Sequence, residues 1–216
     1  MKTKHPEEDY KEIARLGQKL GLPVPQVFLS LEVTKDGEVL ETYKDRSRTW
    51  NRNFWNYTFN SITNYLSDNV YGTGHLGGKI PTGTAVVIGG YVPNVVGGAG
   101  VDTSGILVGT GAGVEDFEGY VLTTKVVHGT GSLKLTYLAQ VATTVSYDAP
   151  SLTWTGTLAR SFYNASGATI TISEVALYMQ MSAAFMLSRD VVSPTVPVLN
   201  LGTLVVTYNM TLALPA

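Results

Sequence analysis

The sequence predicts a mainly β protein, an antiparallel β-sandwich or jelly-roll-like domain with two helices in its N-terminal third. The first observation behind this is the run from Ser151 to Leu214. Four blocks fill it, 151–164, 168–181, 184–192 and 203–214, rich in Thr, Val, Ile, Tyr and Leu. Turn residues bound them: Ala165-Ser166-Gly167, Ser182-Ala183, and the segment from Ser193-Pro194 to Gly202. Such residues suit a pleated, half-buried surface. The second is a series of short apolar runs from Gly119 onward (120–127, 132–141, 143–148), spaced by turn signals as in sandwiches and barrels. The third is that helical periodicity is confined to residues 6–20 and 47–66.

In chain order, Pro6 suits the first turn of a helix, and Glu7, Glu8 and Asp9 favour its positive end. Tyr10, Ile13, Leu16 and Leu20 lie near one face, and Gly21 and Pro23 end it. A helix this short and charged needs something to dock on. Residues 27–33 alternate as a half-buried strand, Lys35-Asp36-Gly37 turns the chain, and 38–43 returns. In 47–66, Trp50, Phe54 and Tyr57 follow i, i+4, i+7. Trp55, Phe59, Ile62 and Leu66 widen the apolar face, which predicts a helix buried on most sides and capped by Ser47 or Thr49. Residues 72–113 hold 14 of the 23 glycines, and are expected to form loops with short strands at 85–88 and 105–109. In 168–181, Ile170 and Ile172 share one parity while Val175, Leu177 and Met179 share the other. A β-bulge is therefore expected near Ser173-Glu174. A carboxylate on such a strand must pair, and Arg160 and Arg189 are the candidates.

The 216 residues fit a helical arm and linker, 1–26, followed by a β-sandwich domain, 27–216. The net charge of −2 gives no general attraction to nucleic acid or an acidic membrane. The absence of cysteine excludes disulfides, thiolate nucleophiles and cysteine-bound zinc. The opening residues lack the apolar run of a signal peptide, so no secretory leader is expected. Residues 80–101 carry no charge, but six glycines and two prolines there argue against a membrane span. Residues 1–53 hold 10 of the 15 Lys and Arg and 9 of the 17 Asp and Glu, which leaves 13 charges in the other 163 residues. Either Thr, Ser and Asn side chains keep this β-domain in solution, or much of its surface faces other subunits, since charge is depleted at interface cores.

Catalytic and metal-binding patterns are absent from the sequence. His5, His75 and His128 lie far apart with no partner at ligand spacing. Gly109-Thr110-Gly111-Ala112-Gly113 is followed by the acidic Glu115, Asp116 and Glu118, so it reads as a tight turn rather than a phosphate loop. Those acids lack EF-hand spacing. There is no G-x-S-x-G nucleophile elbow. Lys44, Arg46, Arg48 and Arg52 interleave with Trp50, Phe54 and Trp55, but the aromatics have core spacing and the domain has no basic footprint. No cofactor, metal or nucleic acid is expected. Trp50 and Phe54 are assigned structural or assembly roles, as are Glu174, Arg160 and Arg189.

The segment KDGEVLETYKDRSRTWNRNFWNYTF, then SGILVGTG, RSFYNASGATITISEVALYM, MLSRDVV and LGTLVVTYNMTL, together resemble a pattern in virion structural proteins of tailed bacteriophages. In that pattern a strand ending in Asn-x-Ser-Gly precedes an Ile-x-Glu-Val-x-Leu strand, an Arg-bearing strand and a final Leu-x-Val-x-Tyr strand. Glu174 takes its Glu position and Arg189 its Arg position. The resemblance covers most of 29–214 and excludes the helix at 6–20. It implies a non-enzymatic particle component (capsid, head–tail or tail) that forms a symmetric homo-oligomer within the virion, with copies of itself and other virion proteins as partners. A carbohydrate-binding or adhesin β-sandwich module is the alternative.

Overall fold

The computed structural model describes residues 6–63, 77–87, 94–141 and 143–214. Along the chain run α1 (Pro6–Leu20), β1 (Val24–Lys35), β2 (Glu38–Arg46), α2 (Arg52–Thr63), β3 (Gly77–Lys79), β4 (Ala85–Val87), β5 (Gly105–Gly109), β6 (Thr136–Tyr137), β7 (Thr144–Asp148), β8 (Thr153–Tyr163), β9 (Ile170–Gln180), β10 (Ala184–Val198) and β11 (Thr203–Ala213). The protein is mainly β, with antiparallel sheets and two helices in its N-terminal third. The larger sheet has the order β2-β1-β11-β8-β6, with β7 also on β8; the second has the order β10-β9-β5. β3 and β4 form a separate two-stranded ladder.

The larger sheet buries one face with a period of two. Across β1, β11 and β8, Leu29, Tyr208 and Leu158 share a row, as do Leu31, Val206 and Arg160, and Val33, Leu204 and Phe162. All nine are buried and belong with the second sheet's residues to the protein's interior. At roughly 1.5–3 kcal/mol per buried aliphatic or aromatic side chain, this grid is a main drive for the sandwich. The β1–β2 hairpin turns at Asp36 (φ 53°) and Gly37 (φ 85°), a left-handed pair that Asp-Gly supports.

The irregularity expected near Ser173-Glu174 is present in the ladder, with the extra residues on β10 and not on β9. β10 moves from Val191 to Val196 while β9 moves from Glu174 to Ile172. β9 pairs with β5 and β10 on its two sides, and from Glu174 to Met179 both of its faces are buried. The change of parity is the mark of a central strand covered on both faces, and needs no extra residue in β9 itself. β10 also runs on through 193–198, where a turn segment was expected. Pro194 and Pro197 are tolerated because β10 is an edge strand, while Val196 and Val198 remain buried.

Three further expectations change. Of the runs 120–127 and 132–141, only Thr136–Tyr137 becomes a strand. Four amides there bond to side chains, Leu122 N to the Tyr178 hydroxyl, Thr123 N and Thr124 N to Glu174, and His128 N to Asp102, while only scattered ones, Val126 N, Leu138 N and Val141 N, reach β5 or β8. α2 starts at Arg52, later than expected, because Asn51 is its cap and accepts from Phe54 N at 3.3 Å. Nor is α2 buried on most sides. Trp55 and Phe59 are exposed (Phe59 by 53%), and Phe54 is half-buried. Ile62 and Leu66 lie outside the described side chains. The buried face of α2 is polar: Asn53 bonds Lys79 O, Lys79 N and Met186 O, and Asn56 bonds Gly77 O. α1 forms as expected and sets Gly17 against Val24, but Ile13, Leu16 and Leu20 stay exposed. Among the described residues no helix is long and apolar enough to cross a membrane.

Candidate functional site

The charged residues singled out in the sequence form two buried anchors that fasten loops onto the sandwich, and a further acid forms a third. Glu174 and Arg189 form the first. Arg189 Nε donates to Glu174 Oε2 at 2.7 Å, with both side chains buried. Three more N–H groups of Arg189 donate to Val114 O, Gly113 O and the Thr123 hydroxyl. Glu174 also accepts from the amides of Gly111, Thr123 and Thr124. Burial raises the Glu174 carboxyl's pKa, but the Thr124 and Thr123 amides and Arg189 outweigh it, holding the pKa below the ordinary value.

This anchor explains the Gly109–Gly113 motif. Gly109 ends β5, and the next residues pass over Glu174 in place of the expected tight turn. A Cβ at Gly109 or Gly111 would stand 2.5 Å from Glu174 Oε1. One at Gly113 would stand 3.0 Å from Arg189 Nη2. Glycine at every second position keeps one face of this extended backbone clear for the ion pair. The three acids that follow do not converge. Glu118 pairs with Arg52, Asp116 Oδ1 accepts from Glu118 N, and Glu115 lies 3.4 Å from Val191 N.

Arg160 is not the partner of Glu174. It lies at the middle of the larger sheet's inner face and is fully buried. Its guanidinium donates to five carbonyls, of Leu138, Ser104, Ile106, Gly98 and Val101, at 2.6–3.1 Å. It also sits 4.8 Å from the ring centre of Tyr137. Among the described residues no carboxylate forms an ion pair with it. Burial pulls its pKa down, opposed by Tyr137 and Asp102. The second anchor therefore gathers the glycine-rich strand-and-loop segment 98–106 around one cation.

The third anchor is Asp190, which the sequence reading passed over. It accepts from the Ser47 hydroxyl at 2.8 Å, Arg48 N at 3.0 Å and the Tyr208 hydroxyl at 3.0 Å. It thus joins β10, β11 and the segment before α2. Its signal was a lone acid beside an Arg in an apolar block. Burial pushes its carboxyl up to about 6, helped by nearby Glu115 and opposed by the three donors. The folded protein therefore holds a proton that the unfolded chain releases near the ordinary aspartate value. This favours folding fully in acid, and the advantage is lost as the pH rises through about 6. Asp190→Asn is expected to gain in melting temperature relative to the parent protein between about pH 4 and about pH 7. A constant difference over that range would contradict this.

Trp50 and Phe54 stand apart from the anchors. Trp50 bridges to Ser188 on β10, and its ring lies 4.5 Å from that of Phe54. Together with Tyr10, Trp55 and Trp154 they line a surface groove of about 430 Å³, to which Val27, Met210, Arg46 and Arg48 also contribute. Arg46 is stacked between the rings of Tyr10 and Phe28, and Arg48 pairs with Asp45. Of the histidines, His5 and His75 lie outside the described residues. His128 accepts from Tyr137 N through Nδ1. Among the described residues no three His, Asp or Glu side chains gather as metal ligands would. The elements thus define an antiparallel β-sandwich with buried polar anchors and an open aromatic groove. Comparison with family models, curated proteins and solved structures finds no match.

Proposed function

We propose that the chain is a non-enzymatic structural protein of a tailed-phage particle that assembles as a symmetric oligomer with copies of itself and other virion proteins. The observation that carries this reading is a surface poor in charge and rich in apolar side chains. Of the 13 charged residues after residue 53, Arg160, Glu174, Arg189 and Asp190 are buried, leaving at most nine for the surface. Against that, Trp55, Phe59, Val114 and Phe117 are open on α2 and the 113–119 loop, and Ile13, Leu16, Leu20 and Leu22 are open on and after α1 in the more charged N-terminal stretch. Exposed apolar residues in groups mark contact surfaces, and closed rotational symmetry is the default for copies of one chain. The resemblance of the β-strand pattern to virion proteins supplies the particle.

Light scattering coupled to size-exclusion chromatography tests the assembly. The full chain is expected to elute as a defined multimer at micromolar concentration, with inter-subunit burial above ~2,000 Å². Deleting residues 1–22 is expected to lower the mass while the β-sheet circular dichroism persists. A compact monomer would instead favour a carbohydrate-binding module. The groove supports that second reading, because Trp55 and Trp154 keep open rings beside it. Quenching of tryptophan fluorescence by a sugar would then be expected.

A further inference from the structure

We infer that the exposed face of α1 and Leu22 in one copy seats on the 113–119 loop of the next, in a head-to-tail contact. The inference rests on the assembly reading and names the surfaces that meet. α1 lies against the start of β1, through Gly17 beside Val24, yet turns Ile13 (48% exposed), Leu16 and Leu20 (66%) outward. Leu22 continues this ridge and is also exposed. An isolated chain gains nothing from a helix whose apolar ridge faces water. The C-terminal part of the ridge, 13–22, carries two cations, Arg15 and Lys19, and no acid, while Asp9 and Glu12 lie at the other end of α1.

The partner surface is identified by its complementary chemistry. Residues 114–118 carry three acids and no base, and they display Val114 (83% exposed) and Phe117 (51%) to solvent. The loop is held rigidly from beneath. Arg189 bonds the carbonyls of Gly113 and Val114, Arg52 N bonds Phe117 O, and Asn51 bonds Gly119 O. A loop fixed before binding loses little freedom when a partner arrives. An apolar ridge with cations fits an apolar tip with carboxylates, which selects partner and register. The aromatic groove is the poorer seat for the cationic end of α1, because Arg46 and Arg48 help to line it. With the ridge engaging one neighbour and the loop another, the contact is heterologous and joins more than two copies.

The chain has no cysteine, so a Leu16→Cys, Phe117→Cys double variant reports the contact directly. Mild oxidation is expected to give a ladder of covalent multimers under denaturing conditions. Adding Arg15→Glu or Glu115→Lys is expected to remove the ladder, and adding both to restore it. Carbodiimide coupling of the unmodified protein gives a second readout: Lys19 is expected to link to Glu115 or Asp116 between copies. If light scattering shows a multimer but neither ladder nor cross-link forms, the contact is wrong and the assembly stands. Covalent dimers and nothing larger would overturn the head-to-tail arrangement. A monomer before oxidation overturns the assembly reading and this contact with it.

Discussion

Glu174→Ala is expected to cost about 3–5 kcal/mol of folding stability, the typical result of removing one member of a buried ion pair. Arg189 would be left buried with its Nε unpaired, and the amides of Gly111, Thr123 and Thr124 would lose their acceptor. At roughly 2–4 °C of melting temperature per kcal/mol for a chain of this size, the change is large enough to read in a single thermal scan. Glu174→Gln retains an acceptor and is expected to fall between the two. The pH dependence has the opposite sign to that of Asp190. With its carboxyl held below the ordinary value, Glu174 stabilises the fold at neutral pH, and this is lost only as the pH falls through its depressed pKa. A melting temperature for Glu174→Ala within a degree or so of the parent's would mean that the pair contributes nothing net, as occurs when desolvation cancels attraction.

Arg160→Met is expected to be comparably damaging, for a different reason. The substitution removes a buried cation, which by itself helps folding, but it strips donors from five carbonyls at once. Each buried acceptor left without a donor costs about 1–3 kcal/mol. Those of Gly98, Val101 and Leu138 belong to exposed loop residues and can regain water, so the net loss is expected at about 3–5 kcal/mol. Arg160→Lys is not expected to rescue it, because an ammonium has three donors and no planar fork. Hydrogen exchange should quicken first in 98–106, the segment gathered around the guanidinium. Uniform loss of protection across both sheets would show instead that Arg160 serves the grid of the larger sheet as a whole.

The strands of the last third were legible because alternation along β11 and β8 reports directly which face is buried. Glu174 was legible because a carboxylate among Ile, Val and Leu cannot remain alone. Its partner was not. Arg160 and Arg189 lie in similar apolar blocks, and only the pairing of β9 with β10 brings Arg189 alongside. The parity change in β9 points to the irregularity near Ser173-Glu174 but not to the strand that carries the extra residues, which is β10. In α2, helical spacing marked the aromatics as core and passed over Asn51, Asn53 and Asn56. Apolar periodicity does not reveal that a helix is fastened by amide side chains to the backbone beneath it. G-x-G-x-G is visible but reads as a turn, because its cause lies 63 residues beyond Gly111, in Glu174.

β11 is flanked by β1 on one side and β8 on the other. During synthesis the β1–β2 hairpin emerges early and must wait, with one apolar face bare, for a strand almost 180 residues downstream, from Val24 to Thr203. No earlier segment supplies the 11 residue pairings between β1 and β11. Closure is thus a late and slow event, since distant partners must find each other before any contact rewards them. An incompletely translated chain would present the inner residues Leu29, Leu31 and Val33 to whatever is nearby, including its own unfinished copies. The folding yield of this protein is therefore expected to depend on chain completion and on how crowded nascent copies are at the ribosome.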